Sequence, residues 1–593
     1  MSQALRPLHV AVLLKQVPPY DRSVPLDEHG RLARAALPGE MNAWCRRALT
    51  RAVQLAEASA GHVTALTMGP PGALDVLREA LACGAHSAVH LSDPRLAGAD
   101  CLVTAHALAA ALRTRGPFDL VLAGHSSTDA ATGALGPMVA GLLEWPFLGP
   151  VMDVDPRDHG RGLEARVQEE SQTVHARVEL PAVVSVAERS CRAARADPSG
   201  WPEGTRITTA GLAELPGART AAASPTRVLG VRHARPGRRP LLIKGGTDRA
   251  GRIWELLTQR LAQAPDEPGA LLLPQPPGGA VTRPYVLAVT SGTPGPSARA
   301  LLGAASLIAA HGGGRVVVGC AAPDPELLAS WGADLALDLT GAAPRPAADA
   351  LAAWLDAAGP PHAVLGGATA WERELLARLG TRLDAGLLSD LVALRADDAS
   401  GRLIGTKPVG GALADLVADG AVTVATLRTG ALPLPAPRTP HRIPVLGLDA
   451  GDDPALRVLS RVPADGHDAL ERARVVIGVG AGVPADALTH LAPLQALLGA
   501  ELAATRKVTD TGALPHNRQL GITGRAIAPR LYVAIGISGS QDHLVGVERA
   551  HTIVAINNDP SAAIFEQCDI GVVADWREAV TLLTRAAHQA AAR

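Results

Sequence analysis

The sequence predicts an α/β protein built on doubly wound parallel sheets, and three observations carry that expectation. From residue 8 to about 186, short apolar runs alternate with helix-length stretches: HVAVLLKQV, NAWCRRALTRAVQLAEA, HVTALTM, ALDVLREALAC, SAVHL, LVTAHALAAALRT and FDLVLAG. Buried strands alternating with helices in this way mark βαβ units and a parallel sheet. The stretch FDLVLAGHSSTDAATGALGPMVAGLLEWPFLGPVMDV from 118 is then echoed by PHAVLGGATAWERELLARLGTRLDAGLLSDLVAL from 361, with strand, small-residue turn, helix and second strand in the same places. Two related α/β halves follow from it. Near the C-terminus, the apolar runs 475–477, 531–535 and 552–556 each stop at small or polar residues, as buried parallel strands do in a nucleotide-binding fold.

Length and composition bound the function. At 593 residues with 47% hydrophobic content, the chain is expected to form three or four domains with full α/β cores. No apolar run reaches the roughly 18 to 20 residues that span a bilayer, and MSQALRPLHVAVLLKQ enters a strand without a signal-peptide layout. A cytoplasmic protein, not integral to a membrane, is expected. The net charge of −1 offers no field for nucleic acid, and RHARPGRRP at 232–240 reads as a solvated arm. The six cysteines, at 45, 83, 101, 191, 320 and 568, form no C-x-x-C pair, which argues against iron–sulfur clusters, zinc sites and a disulfide framework. Any redox work falls to an organic cofactor. No phosphate-binding G-x-x-x-x-G-K-[ST] loop and no G-x-S-x-G elbow occurs, and neither GHSSTDAATG nor HGGG at 311–314 has the companions of a hydrolase triad. No catalytic residue and no metal site is expected.

The chemistry gathers at the C-terminal strand ends. GVGAG at 478–482, GITG at 521–524 and GISG at 536–539 give backbone amides and a Thr or Ser hydroxyl room to approach a pyrophosphate or a planar ring. Their order and spacing, with ELAATRKVTDTGALPHNRQ between the first two, resemble the FAD-binding domain of electron-transferring flavoprotein α subunits. The resemblance implies FAD and an electron carrier. Arg506 matches the arginine beside the flavin ring, Thr523 the hydroxyl that donates toward flavin N5, and His543 the histidine near the O2 edge. Such donors stabilise charge on a reduced flavin. Gly524 and Arg525 complete that turn, with Arg525 standing for the family's lysine. Ser538, Gly539, Ser540 and Gln541 match the phosphate-side turn, and Asn557 and Asp575 the adenosine end. Two family residues are absent: Ile522 replaces a glutamine and Ala481 an arginine. FAD retained with a shifted potential or altered affinity is the expected consequence.

The first 186 residues resemble the β subunit of the same family, through LLKQV at 13–17, Asn42, VTALTMGP at 63–70, LREALACGAHSAVHL at 77–91, TDAATGALGP at 128–137 and LPAVVSV at 180–186. The resemblance implies a second nucleotide site for AMP, or for a second FAD in electron-bifurcating members, at Lys15, Met68, Asp129, Thr132, Gly133 and Gly136. Ala131 and Ala134 replace polar residues there, which points to a weakened site. After LPAVVSV, Glu188 and Ser190 stand where the family's partner-recognition segment carries leucines, so docking to ordinary acyl-CoA dehydrogenases gives way to a dedicated partner.

The expected organisation is a β-like domain with a C-terminal arm (1–265), a Pro/Gly-rich linker (266–282), an α-like N-terminal domain (283–465) and a Rossmann-like FAD-binding domain (466–593), the first and third being the related halves. One chain then stands for an αβ heterodimer. It is expected to take electrons from a partner dehydrogenase, pass them to a membrane quinone oxidoreductase or similar acceptor, and be gated by rotation about 430–470. Two alternatives are an electron-bifurcating form that oxidises NADH with two FADs, and a nucleotide-binding protein that has lost electron transfer.

Overall fold

Three mainly parallel sheets organise the computed structural model, which describes residues 5–19, 38–233, 238–243, 249–264, 272–274, 284–409, 412–439, 441–464 and 467–591. The expected linker lies outside the described residues except for 272–274, and part of the Arg-rich arm likewise.

In the first sheet, His9–Leu14 is central, hydrogen-bonded in parallel to His62–Met68 on one side and Leu120–Gly124 on the other. Ser87–Leu91 and Ile207–Ala210 extend one flank, Ala182–Val186 and Phe147–Arg157 the other. These strands are apolar on both faces because helices cover both. Ala43–Ser59 and Leu74–Ala82 pack on one side, and Cys101–Arg115 and Leu135–Leu143 on the opposite side. Beyond Phe147–Arg157 the sheet turns antiparallel through Gly162–Gln168 and Gln172–Glu179.

The second half repeats the plan. Tyr285–Val289 lies between Ala363–Gly367 and Arg315–Cys320 in a seven-stranded parallel sheet. The sequence echo becomes a contact: the matching helices Leu135–Leu143 and Ala370–Arg382 pack together, with Met138, Val139, Leu375, Leu376 and Leu379 in one core.

The elements that leave each half do not stay with it. Thr226–His233, from the arm after the first half, pairs antiparallel with Ala412–Ala418 of the second. Leu241–Ile243 then joins the C-terminal sheet beside Ile570–Val573, and the helix Arg249–Gln263 packs on the helix Trp576–Ala591. In return Leu456–Pro463, from the stretch before the FAD-binding region, pairs with Gln172–Glu179 of the first sheet. Most of the region expected to swivel, 430–470, is therefore pinned, by this pairing and by Val445–Gly447 against Leu335–Asp338. Only the stretch after Pro463 connects that strand to the C-terminal body.

Candidate functional site

The C-terminal sheet runs Leu241–Ile243, Ile570–Val573, Thr552–Asn557, Leu531–Ile535, Val475–Val479, Glu501–Ala504, all parallel. Successive strands leave Val475–Val479 on opposite sides, so the crevice beyond Val479 and Ile535 is a topological switch point, where α/β folds bind ligands. The first and third glycine turns meet there. Gly480 N donates to Ile535 O at 2.9 Å and Gly482 N to Gly536 O at 3.1 Å. A Cβ on Gly480 would fall 2.1 Å from Gly536 O, and Gly536 has φ +64°, so neither turn tolerates a side chain.

In front of this crevice a cavity of about 1350 Å³ opens between the three bodies, larger than the roughly 300–1,000 Å³ of common small-molecule pockets. The C-terminal body lends Thr523, Gly524, Arg525, Ser540 and Gln541; the second half lends Thr290–Thr293, Trp371, Glu372 and Arg373; the first lends His125–Asp129, Glu188 and Arg189. Arg506, Ser538, Gly539, His543, Asn557 and Asp575 do not border it. Arg506 is held by Glu188 and lies 3.5 Å from Asp510. His543 turns inward, its Nε2 2.8 Å from the Tyr532 hydroxyl. Asn557 donates to Ile537 O at 2.9 Å, and Asp575 accepts from Arg577 N at 2.9 Å at the start of the last helix. Arg525 pairs with Glu471 at 2.5 Å.

Several residues that the sequence reading passed over build the walls. Gln519, fully buried, donates through Nε2 to Thr523 Oγ1 at 2.7 Å, and its Oε1 accepts from Thr509 Oγ1 at 2.7 Å and Arg189 Nη2 at 3.2 Å. Arg189 also reaches His516 Nδ1 at 2.8 Å and pairs with Asp510. From the second half, Arg428 donates to the Gly521 carbonyl at 3.0 Å and to that of Ile522, tying the turn before Thr523 to the body. The same guanidinium pairs at 2.7 Å with Asp390, which is 5% exposed. Burial pushes the Asp390 carboxyl up, but the Arg428, Arg373 and Lys407 cations beside it hold it below its ordinary value. Lys407 is itself buried, which lowers its pKa to about 8 against the pull of Asp390.

Comparison with known proteins agrees with this geometry. The electron transfer flavoprotein domain model matches residues 30–211 and 286–453, and the electron transfer flavoprotein FAD-binding domain model matches 469–548. The chain belongs to the electron transfer flavoproteins. It is 37% identical over 245 residues to the electron transfer flavoprotein subunit alpha of Mycobacterium leprae, covering 40% of this chain and 75% of that one. Protein FixB of Bradyrhizobium diazoefficiens is 38% identical over 237 residues (38% and 63% covered), and the alpha subunit of Bacillus subtilis 34% over 230 (38% and 70%). The family domain thus occurs twice in one flavoprotein chain, ahead of a single FAD-binding domain. Among the described residues, no helix is long and apolar enough to cross a membrane.

The C-terminal residues of this flavoprotein fit FAD through Thr523, Ser540 and Gln541, which face the cavity, while the switch-point glycine turns pack backbone to backbone behind them. The loop expected to hold a second nucleotide is different. Asp129 pairs with Lys15 at 2.7 Å, Thr132 Oγ1 lies 3.9 Å from Cys101 Sγ, and Lys407 of the second half donates to the Ala131 carbonyl at 3.1 Å. Arg373 lies so close over Gly133 that a Cβ there would sit 2.7 Å from its Cδ. Gly136 faces the Phe147 ring, and Met68 packs on the first core. Lys15, Lys407 and Arg373 thus crowd this loop from within the chain, while Thr128, Asp129, Ala131 and Gly133 still border the cavity.

Acid is expected to loosen this site. Burial lowers the pKa of His125 to about 3, of His516 to about 4 and of His543 to about 4, with Arg373 adding to the first shift and Arg189 to the second. Their unfolded value is 6.5. Between that value and the folded ones the unfolded chain binds more protons, so stability falls as pH drops. Glu372 opposes them: burial raises its pKa to about 7, so its contribution is full at low pH and is lost as pH rises through 7. Burial raises the pKa of Glu170, Glu374 and Asp334 as well, but it also lowers that of His62, His90, His106 and His362. Among the described residues the lowered histidines outnumber the raised carboxyls, and melting temperature is expected to fall from pH 6.5 to 4.5. A flat or rising profile in thermal melts would contradict the buried, neutral histidines.

Proposed function

We propose that this flavoprotein carries electrons on a single FAD held at the cavity between its three bodies, receiving them from a partner dehydrogenase and passing them to a quinone oxidoreductase or a similar acceptor. The observation that carries this reading is the convergence of Thr523, Ser540 and Gln541 on a cavity that all three bodies wall. When bound, FAD supplies the redox chemistry, and the residues of the chain bind and orient it. Thr523 offers a hydroxyl toward the ring, and Ser540 and Gln541 offer polar groups to the rest of the cofactor. Arg506 lends a cation from behind the cavity wall, balanced by Glu188 across the body boundary. Asn557 and Asp575, at neighbouring strand ends, are assigned to the adenosine end. The second nucleotide loop, engaged by Lys15 and Lys407 and covered by Arg373, supports a carrier with one FAD over a bifurcating form with two.

The test is cofactor release and counting from the purified protein, with visible spectra during stepwise reduction. One FAD per chain and no AMP is the expected result. Two FADs together with reduction by NADH would replace this reading with bifurcation, and a protein that takes up no FAD would end it.

A further inference from the structure

Gln519 and Arg189 belong to different bodies, yet they form one line of hydrogen bonds that ends on Thr523. We propose that Arg189, through Gln519, sets the direction in which the Thr523 hydroxyl donates, so that docking of the first half on the FAD-binding body switches on the hydrogen bond from Thr523 to the flavin ring. The inference rests on the FAD reading above.

The direction follows from which atoms can donate. A guanidinium has only N–H donors. The end of the Gln519 amide that faces Arg189 Nη2 at 3.2 Å must therefore be its carbonyl oxygen, which the Thr509 hydroxyl also approaches, at 2.7 Å. The amide nitrogen is then forced to the other side, where it donates to Thr523 Oγ1 at 2.7 Å. An oxygen that accepts there keeps its own proton for another partner, and Thr523 borders the cavity. Gln519 keeps its place between these partners: it is fully buried, and its backbone carbonyl accepts from Arg525 N at 2.8 Å, so only the amide end can turn. Without Arg189, the carbonyl would keep the Thr509 hydroxyl and the neighbouring His516 ring, which burial holds neutral and which can accept as well as donate. That hydroxyl can accept as readily as donate and also lies 3.1 Å from Arg506 O. The amide could then flip, its oxygen would draw the Thr523 proton inward, and the cavity would face a lone pair.

Arg189 is well placed to report docking. It comes from the segment after Val186, and every described polar contact of its guanidinium (His516, Thr509, Asp510 and Gln519) lies in the C-terminal body. Swinging that body away would break all of them at once. Arg189 and Gln519 are positioning residues; Thr523 is the group that would touch the cofactor.

The experiment measures the midpoint potential and content of bound FAD in the full chain for wild type, T523V, Q519L, R189M, R189K and the double variant R189M/T523V. Loss of one hydrogen bond corresponds to about 5-fold in the reduction equilibrium. T523V and R189M are each expected to lower the potential by about that factor, whereas Q519L, which leaves no amide oxygen to draw the Thr523 proton inward, should lie nearer to wild type. R189K, which keeps a donor, should lie near wild type, and the double variant should fall no lower than T523V alone, because the two changes act on the same bond. A merely structural Arg189 would move the melting temperature and leave the potential alone. R189M at the wild-type potential while T523V is lowered, or shifts that add in the double variant, would overturn the relay and leave the carrier intact. A wild-type chain that takes up no FAD would overturn both.

Discussion

Asp390→Asn is expected to be among the most destabilising single substitutions in this flavoprotein, although it changes one atom type and keeps the shape. The residue has φ +62°, a left-handed conformation that asparagine also tolerates, so the backbone loses nothing. Its amide N–H, which donates to Thr426 Oγ1 at 2.8 Å, is untouched. What disappears is the anion between Arg428, Arg373 and Lys407. Removing one partner of a buried ion pair costs about 3 kcal/mol or more, because the other charge stays buried without compensation. Here three cations share the loss, and two bind other bodies: Arg428 the Gly521 and Ile522 carbonyls, Lys407 the Ala131 carbonyl. Weaker cohesion between bodies should accompany lower stability.

The pH profile gives a second reading of the same change. Lys407 already titrates at about 8, below its ordinary 10.5, so between those values the unfolded chain holds more protons and stability rises with pH. In the asparagine variant the attraction of Asp390 is gone and the Lys407 pKa falls further, which moves the rise toward neutral pH. Chemical denaturation at pH 7 and 9 would show it: the variant should regain part of its lost stability at the higher pH. Wild-type stability in the variant at both pH values would mean that the four charges are not coupled.

How much of this was legible in the sequence depends on whether a residue acts through a local pattern. The parallel strands were readable because burial on both faces leaves uniform apolar runs: the expected 531–535 run coincides with Leu531–Ile535, and the 475–477 run lies inside Val475–Val479. The echo between 118 and 361 was readable for the same reason. The antiparallel extension through Gly162–Gln168 and Gln172–Glu179 was legible in kind but passed over: RVQEESQTVHARVE alternates polar and apolar residues as a half-buried strand does, but no turn glycine marks where one strand ends and the next begins. The exchanged strands were still harder to find, because Leu241–Ile243 is three residues long and its partner lies more than three hundred residues away.

The site divides along the same line. The Thr523 turn is marked by its glycines and by the family resemblance. Gln519, Arg189, Arg428 and Asp390 act through partners distant in sequence, and one-dimensional spacing does not encode such pairs. Two signals were nevertheless present. Asp390 is a lone acid inside the apolar run GLLSDLVAL, and a charge in a buried strand demands counter-charges. Glu188 and Arg189 stand in and beside a position where leucine was expected; the substitution was read as a lost partner contact, whereas in the structure both side chains bind the FAD-binding body.

The second large effect is expected from Leu257→Asp, at a position that sequence order assigns to the N-terminal half. Leu257 is 1% exposed, and with Ile243 and Ile253 it packs into the core that holds Val475, Ile535, Trp576 and Leu583. Among the described residues, the apolar stripe of the helix Arg249–Gln263 packs into the core of the C-terminal body, through Ile253, Trp254, Leu256, Leu257 and Leu261. A carboxylate there removes a buried leucine, about 2–5 kcal/mol in itself, and adds the desolvation of a polar group, so a loss of about 4 kcal/mol or more is expected. The damage should appear far from the substitution: loss of FAD and early proteolysis within 467–591, with the two related halves still folded. Glu255→Ala, on the exposed face of the same helix, should change stability by no more than about 0.5 kcal/mol. Retention of FAD and an unchanged melting temperature in the aspartate variant would show that the helix does not dock. The expected outcome means that the chain passes from the first half through the C-terminal body before it begins the second. The FAD-binding body then moves on three connections rather than one, and a swing about Pro463 alone is closed to it.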